Sequence, residues 1–270
     1  MRRASTRLSK TILSMLIFGY AFLFIPIFFL IVTSFNESDI PSVWTGFSLK
    51  WFLAVFKDEE LLRAALTSLE VACISATGAV VLGVLAAAAT TSGSFKGKNF
   101  LNTTIIVPIV MPEIIIGFSL LMLFMSMENI LGFPKERGIM TVATGHIVAT
   151  MAYVHMTVRA RLLSFDNSLE EAALDLGARP LTVFLQIKIP VIAKSILSGW
   201  LLAFTLSLDD LVIASFLSGP GSTTLPIMIF SNVRISISPC INALATLFIA
   251  LVSTCLTIAF LIARKNKAEE

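Results

Sequence analysis

Three carboxylates stand in apolar surroundings where a charge is costly: Glu113, Asp209 and Asp210. Near the centre of a lipid-embedded helix each costs roughly 2.5–3.5 kcal/mol on insertion scales, so each counts as a functional candidate by default. A row of acidic oxygens along a path is the chemistry that suits a cation. Asp209 and Asp210 fall about fourteen residues past Ser195, roughly 21 Å along a helix rising 1.5 Å per residue. Glu113 falls about twelve residues past Leu101, near the middle or outer half of its own apolar run. Adjacent helical residues point about 100° apart, so Asp209 and Asp210 cannot both face one path unless the helix breaks there. One division makes one of them line the path while the other ties to a neighbouring helix or subunit. The competing reading makes both structural, bonded to Ser, Thr or a partner's Arg.

Other chemistry is absent from the pattern. His146 and His155 are not at zinc-ligand spacing and are expected to take neither a metal-binding nor a catalytic role. The stretch Gly93-Ser94-Phe95-Lys96-Gly97-Lys98-Asn99 approaches a phosphate-binding loop, but its glycines are one residue too close and Asn replaces Ser or Thr. The chain is therefore expected not to hydrolyse ATP itself. No nucleophile elbow surrounds any serine. Cys73, Cys240 and Cys255 have neither CxxC nor metal-ligand spacing, so they read as small core residues. No catalytic residue, metal or cofactor is expected.

The elements that must carry the carboxylates are membrane spans. Hydrophobic residues make up 56% of the 270-residue chain, charged ones only 14%, and mean hydropathy is +0.90. A net charge of +3 is too small to argue for nucleic acid. Apolar runs cover about 11–33, 64–91, 101–127, 139–158, 195–217 and 240–263, which predicts a single all-α transmembrane domain over 1–270 with six helices. The first run is too long for a signal-peptide core and lacks a small-residue cleavage site, so it is expected to be retained. Trp44 and Trp51 suit an interfacial belt. The third run is interrupted by Pro108, Pro112 and Glu113.

Six spans put both termini and the central loop on one side of the bilayer. That side carries Arg2, Arg3, Arg7, Lys10, Lys96, Lys98, Arg159, Arg161, Arg179, Lys188, Lys194, Arg264, Lys265 and Lys267. The other has Lys50, Lys57, Arg63, Lys135, Arg137 and Arg234. The excess makes the termini and the loop over about 159–194 cytoplasmic.

That loop has its own helical logic. Ser168 followed by Glu171 predicts a capping box. Leu169, Ala172, Ala173 and Leu176 then form one narrow apolar stripe. Gly177 stands where a left-handed residue would close the helix, and Pro180 suits the start of another. The stripe either docks on a protein or lies on lipid headgroups, and its pattern alone leaves both open. Glu171-Ala172-Ala173, then Gly177, then Ile187-Lys188-Ile189-Pro190 resembles the EAA loop of ABC-importer permeases, departing only in Ile189 for Leu. The resemblance implies a type I importer permease fold in which Glu171, Ala172, Ala173, Gly177 and Pro190 belong to a coupling helix that docks on a cytoplasmic ATPase dimer.

A second resemblance reaches from the first span to the sixth. Ser198 through Phe216, Gly219-Pro220-Gly221, Thr224-Leu225-Pro226 and Pro239 through Thr246 are similar to polyamine permeases, more to the putrescine branch than to the spermidine one. It implies a bacterial inner-membrane importer of two different permeases, an ATPase pair and a periplasmic polyamine-binding protein. Ile235-Ser236-Ile237-Ser238 and Cys240 depart from the family's pattern, which bears on binding-protein contacts and fine specificity. A ferric-ion or other solute permease is the alternative within the class. A secondary transporter would show paired broken helices and need no motor, and a membrane hydrolase would need a constellation the sequence lacks.

Overall fold

The computed structural model describes residues 2–40, 43–91, 95–235, 239–250 and 253–254. All regular structure among them is helical, apart from one isolated β-bridge between Asn36 and Phe47. The chain divides into two compact units, residues 1–62 with 229–270 and residues 63–228.

In the first unit, α1 (Arg2–Ser34) contains Pro26 and presents the uniformly apolar stretch Thr11–Ser34. The loop after it is organised by Asn36. Its amide donates to Val43 O at 2.7 Å, and its Oδ1 accepts from Ser38 and Thr45 N–H. Trp51, in the first turn of α2 (Lys50–Lys57), donates Nε1–H to Asn36 O at 2.9 Å, so its indole fastens this loop. Of the expected interfacial pair, Trp44 is exposed. Asn242, on the apolar helix Pro239–Ala250, donates to Thr33 Oγ1 at 3.2 Å. The remainder of the expected sixth run, Cys255 included, and residues 236–238 lie outside the described residues.

The second unit is built on α3 (Glu59–Thr91), α4 (Lys98–Val110), α5 (Glu113–Leu131) and α6 (Ile139–Leu163). It continues through α7 (Asn167–Asp175), α8 (Pro180–Val183), a π-helical turn Phe184–Lys188, α9 (Ile189–Asp209) and α10 (Val212–Leu217), and ends as α11 (Leu225–Ile235) begins. The helix α6 is central, buried on several faces. On one side Val154, Val158 and Leu162 pack with Ala76, Ala79 and Ala87 of α3 and with Ile192 and Ala203 of α9. Small residues let the backbones approach, the packing that lipid-embedded helices require. A Cβ on Gly83 would stand 2.9 Å from Val154 Cβ, so α3 and α6 meet where no larger residue fits. A second cluster joins Val142 of α6 to Ile116 and Phe124 of α5 and to Ile213, Ala214 and Leu217 of α10.

Two expected runs are not continuous helices. The third divides at Met111-Pro112, with Pro112 preceding the first residue of α5, Glu113. Proline lacks an N–H and pushes the residue before it out of the α region, so Met111 is extended at φ −77°, ψ 139°. The fifth run starts earlier than Ser195, from Pro180 through the π turn, and ends at Asp209. Asp210 is extended at φ −67°, ψ 121°, and α10 resumes after Leu211. Five helices among the described residues are long and apolar enough to cross a membrane: Thr11–Ser34, Glu59–Thr91, Glu113–Leu131, Ile139–Leu163 and Pro180–Asp209.

Candidate functional site

The two helix breaks meet at one cavity. Its volume is about 370 Å³, and Glu113, Asp209 and Asp210 all line it. That lies at the small end of the roughly 300–1,000 Å³ typical of small-molecule sites. Irregular backbone at membrane depth is tolerated only where protein buries it or where it lines a cavity, and these breaks line one. Both α4 and α9 end here and α5 and α10 begin here, with Met111, Glu113, Asp209 and Val212 on the wall, so negative and positive helix ends both border the space. The helix ends oppose one another, and it is the three carboxylates that favour a cation.

The break also resolves the geometry of the acidic pair. Because Asp210 leaves the helix, the angular separation of adjacent helical residues no longer keeps it off the face that Asp209 shares. The two nevertheless stand in different environments. Asp209 is exposed, as is Glu113. Asp210 has a side chain only 9% exposed, and its Oδ1 accepts the Ala214 N–H of α10 at 2.9 Å.

Two functional candidates escape a reading by motif. His146, 1% exposed, places Nδ1 2.6 Å from Ser207 Oγ on α9 and Nε2 3.3 Å from Asp210 Oδ1, within ion-pair range but off hydrogen-bond alignment. Tyr153 lies on the same wall. The signal was periodic rather than local: His146, Ala149, Thr150 and Tyr153 stand at i, i+3, i+4 and i+7, a partly polar stripe on an apolar helix, and all four line the cavity. His155 is buried elsewhere, its Nε2 3.3 Å from Asn102 Oδ1 of α4.

A second polar region surrounds α7. The expected cap is corrected here: Asp166, not Ser168, is the N-cap, its carboxylate accepting the Ser168 N–H at 3.0 Å, and the helix starts at Asn167. A carboxylate is both a good cap and a negative charge at the positive helix end, which favours it over the hydroxyl downstream. The Ser168 hydrogen bonds hold the Asp166 pKa below the usual carboxylate range. The C-terminus closes as the sequence predicts, with Gly177 left-handed at φ +86°. Gly177 N–H donates to Leu174 O and Ala178 N–H to Ala173 O, the paired bonds of a Schellman end. No side chain of α7 is buried: Leu169 is 49% and Leu176 89% exposed, so the apolar stripe has no covering partner among the described residues.

The helix is tied at its root. Lys188, in the π turn, pairs with Glu170 at 2.7 Å and lies 5.9 Å over the Phe165 ring. Glu171, Ala172, Gly177 and Pro190 are exposed, and Ala173 is half-buried. A recess of about 400 Å³ between these groups is lined by Thr91, Leu162, Asn167, Glu171 and Leu174, among others.

Against known proteins, residues 79–266 match the family described as binding-protein-dependent transport system inner membrane component. The chain is 46% identical over 254 residues to the putrescine transport system permease protein PotI of Escherichia coli, covering 93% of this chain and 90% of the relative. It is 40% identical over 245 residues to the spermidine/putrescine transport system permease protein PotC of the same organism, covering 91% and 90%. Among solved structures, a bacterial ABC transporter involved in the import of the acidic polysaccharide alginate has a chain that superposes with a TM-score of 0.76 at 17% identity, covering 97% of this chain and 96% of that one. That likeness is one of fold. Paired broken helices, the feature expected of a secondary transporter, are present here, so they do not separate the two classes; the sequence match does. The chain belongs to the family of inner-membrane components of binding-protein-dependent transport systems.

Proposed function

We propose that the chain is a permease subunit of an ATP-driven polyamine importer, passing the cation from periplasm to cytoplasm by alternating access. The observation that carries this reading is the cavity where Glu113, Asp209 and Asp210 meet at two helix breaks. The named relatives, a putrescine and a spermidine/putrescine permease, support the substrate class. An acidic site at helix breaks gives an ammonium group oxygens in place of water. Such a site must stay weak, because a tightly held cation would not leave.

The rest of the assembly follows from the same family logic. The chain crosses the membrane six times in the type I importer arrangement, with both termini and α7 in the cytoplasm. The unpartnered stripe of α7, with Glu171, Ala172, Ala173, Gly177 and Pro190, docks on a cytoplasmic ATPase dimer that hydrolyses the ATP. A second, homologous permease completes the membrane core, and a periplasmic polyamine-binding protein delivers the substrate. ATP-driven closure of the motor moves α7, and the spans rock between outward- and inward-facing states.

The test is uptake of labelled putrescine into vesicles holding the assembled complex. Uptake that requires ATP and the binding protein supports the reading, whereas a complex that assembles and hydrolyses ATP yet moves no polyamine overturns it. Orientation is read by an impermeant thiol reagent on intact cells, in a background without the native cysteines. Thr223→Cys, at an exposed position, should react, and Ser168→Cys should not. The reverse pattern would invert the topology.

A further inference from the structure

We infer that His146 is a positioning residue of the cation site. With Ser207 it pins Asp210 at the α9–α10 break, which leaves Glu113 and Asp209 as the carboxylates that meet the ammonium group. The inference rests on the polyamine reading above and assigns roles within that site.

The three carboxylates are not equally free. One oxygen of Asp210 takes the Ala214 N–H, a donor in the first turn of α10, and the same oxygen faces His146 Nε2 at 3.3 Å. With 9% of its side chain exposed, Asp210 is committed to protein groups rather than presented to a ligand. Asp209 and Glu113 line the same cavity and are exposed.

His146 is the only imidazole on that wall, and its environment sets its task. A carboxylate oxygen can only accept, so the best arrangement has Ser207 O–H donate to Nδ1 and puts the proton on Nε2, where it faces Asp210 electrostatically rather than as an aligned hydrogen bond. Ser207, 5% exposed, belongs to the last turns of α9, and Asp210 to the break after it. One imidazole on α6 therefore holds both sides of the discontinuity. Thr150 Oγ1 donates to His146 O at 2.7 Å, which ties the next turn of α6 to the same point. If this bridge is lost, the break keeps the apolar packing of α10 on α6 but loses its polar tie at Asp210, and the angle at which Asp209 enters the cavity is less firmly fixed.

The test uses the complete complex, with its ATPase, partner permease and binding protein, in proteoliposomes, and reads labelled putrescine delivered per ATP hydrolysed. His146→Ala should lower that ratio about tenfold, the effect of leaving a buried polar group unpaired, with ATP hydrolysis within about twofold of wild type. His146→Gln, whose amide can both donate and accept, should recover most of the ratio. In an Asp210→Asn background His146→Ala should add little, because the two act as one unit, while with Asp209→Asn the losses should multiply. If His146→Ala fails to assemble, Ser207→Ala is read the same way, with a several-fold fall expected. An unchanged ratio in the assembled variants, or losses that multiply with Asp210→Asn, overturns the positioning role. A wild-type complex that delivers no putrescine overturns the polyamine reading instead.

Discussion

At α7 the groups that shape the helix are near neighbours in the chain. Asp166 caps it, Gly177 and Ala178 close it, and Glu170 reaches only as far as Lys188. At the cavity the groups come from far apart: Glu113 from α5, His146 from α6, Ser207 and Asp209 from α9, and Asp210 from the break that follows. The two regions also differ in what they leave unsatisfied. The helix α7 closes its own ends and exposes an apolar stripe, which on the proposed reading is the docking face for the ATPase. The cavity buries one carboxylate against partners and leaves two open, the signature of a site made for a charge. If α7 couples to a motor and the cavity carries the cation, as proposed, the coupling element is assembled locally while the path is assembled from several helices.

The contrast breaks most sharply at the open carboxylates. Asp209→Asn or Glu113→Gln should each cut putrescine uptake about 10–100-fold per assembled complex, the range expected when a charged hydrogen-bond partner is lost. Assembly should survive, since neither group is buried. A loss of assembly that accounts for the lost uptake would make these carboxylates structural and erase the difference between them and Asp210.

At α7 the largest effect is expected from Gly177→Val. A β-branched residue held left-handed costs at least the roughly 1–2 kcal/mol of that conformation, and no neighbour within 4 Å of a Cβ would be displaced, so the strain is purely of the backbone. Uptake should fall about tenfold or more through lost registry with the ATPase, while membrane insertion stays normal. Normal uptake with a normally assembled ATPase would remove the closure of α7 from the coupling argument.

Glu170→Gln should have a smaller effect. The Lys188 pair lies at the edge of solvent, with 14% of the lysine and 32% of the glutamate side chain exposed, which places its worth near the upper end of about 0.2–1 kcal/mol and the expected fall in uptake at a few-fold. A loss as large as that of Gly177→Val would mean that the root of α7, not its end, sets the coupling.

The smallest change is expected at the cap and can be read by pH. A carboxylate whose folded pKa is depressed stabilises above its ordinary value, and that contribution is lost as pH falls through the depressed one. The Ser168 amide should therefore keep its exchange protection across neutral pH and lose it only below the usual carboxylate range. Protection in Asp166→Ala should be lower throughout and insensitive to that acid step. An acid step that persists in the variant would assign the cap elsewhere.

What the sequence determined by itself was whatever depends on neighbours in the chain or on composition. Long apolar runs, the helical closure at Gly177 and the helix start at Pro180 follow from local backbone preferences, and the carboxylates stood out because charge is rare in apolar surroundings. The cap was misplaced by two residues because Asp166 and Ser168 are both good caps, and their competition is settled by the strength of the acceptor. Tertiary structure decided the rest. Asp209 and Asp210 could share a wall only if the helix broke, and no proline or glycine at 209–211 announces a break. Beside the local bond from Ala214 N–H to Asp210, the break is held by groups distant in sequence: the packing of α10 on α5 and α6, and the imidazole of His146 beside Ser207. A lone histidine on an apolar helix carries no such information until its neighbours are known, because its chemistry is set by the partners that folding brings to its two nitrogens.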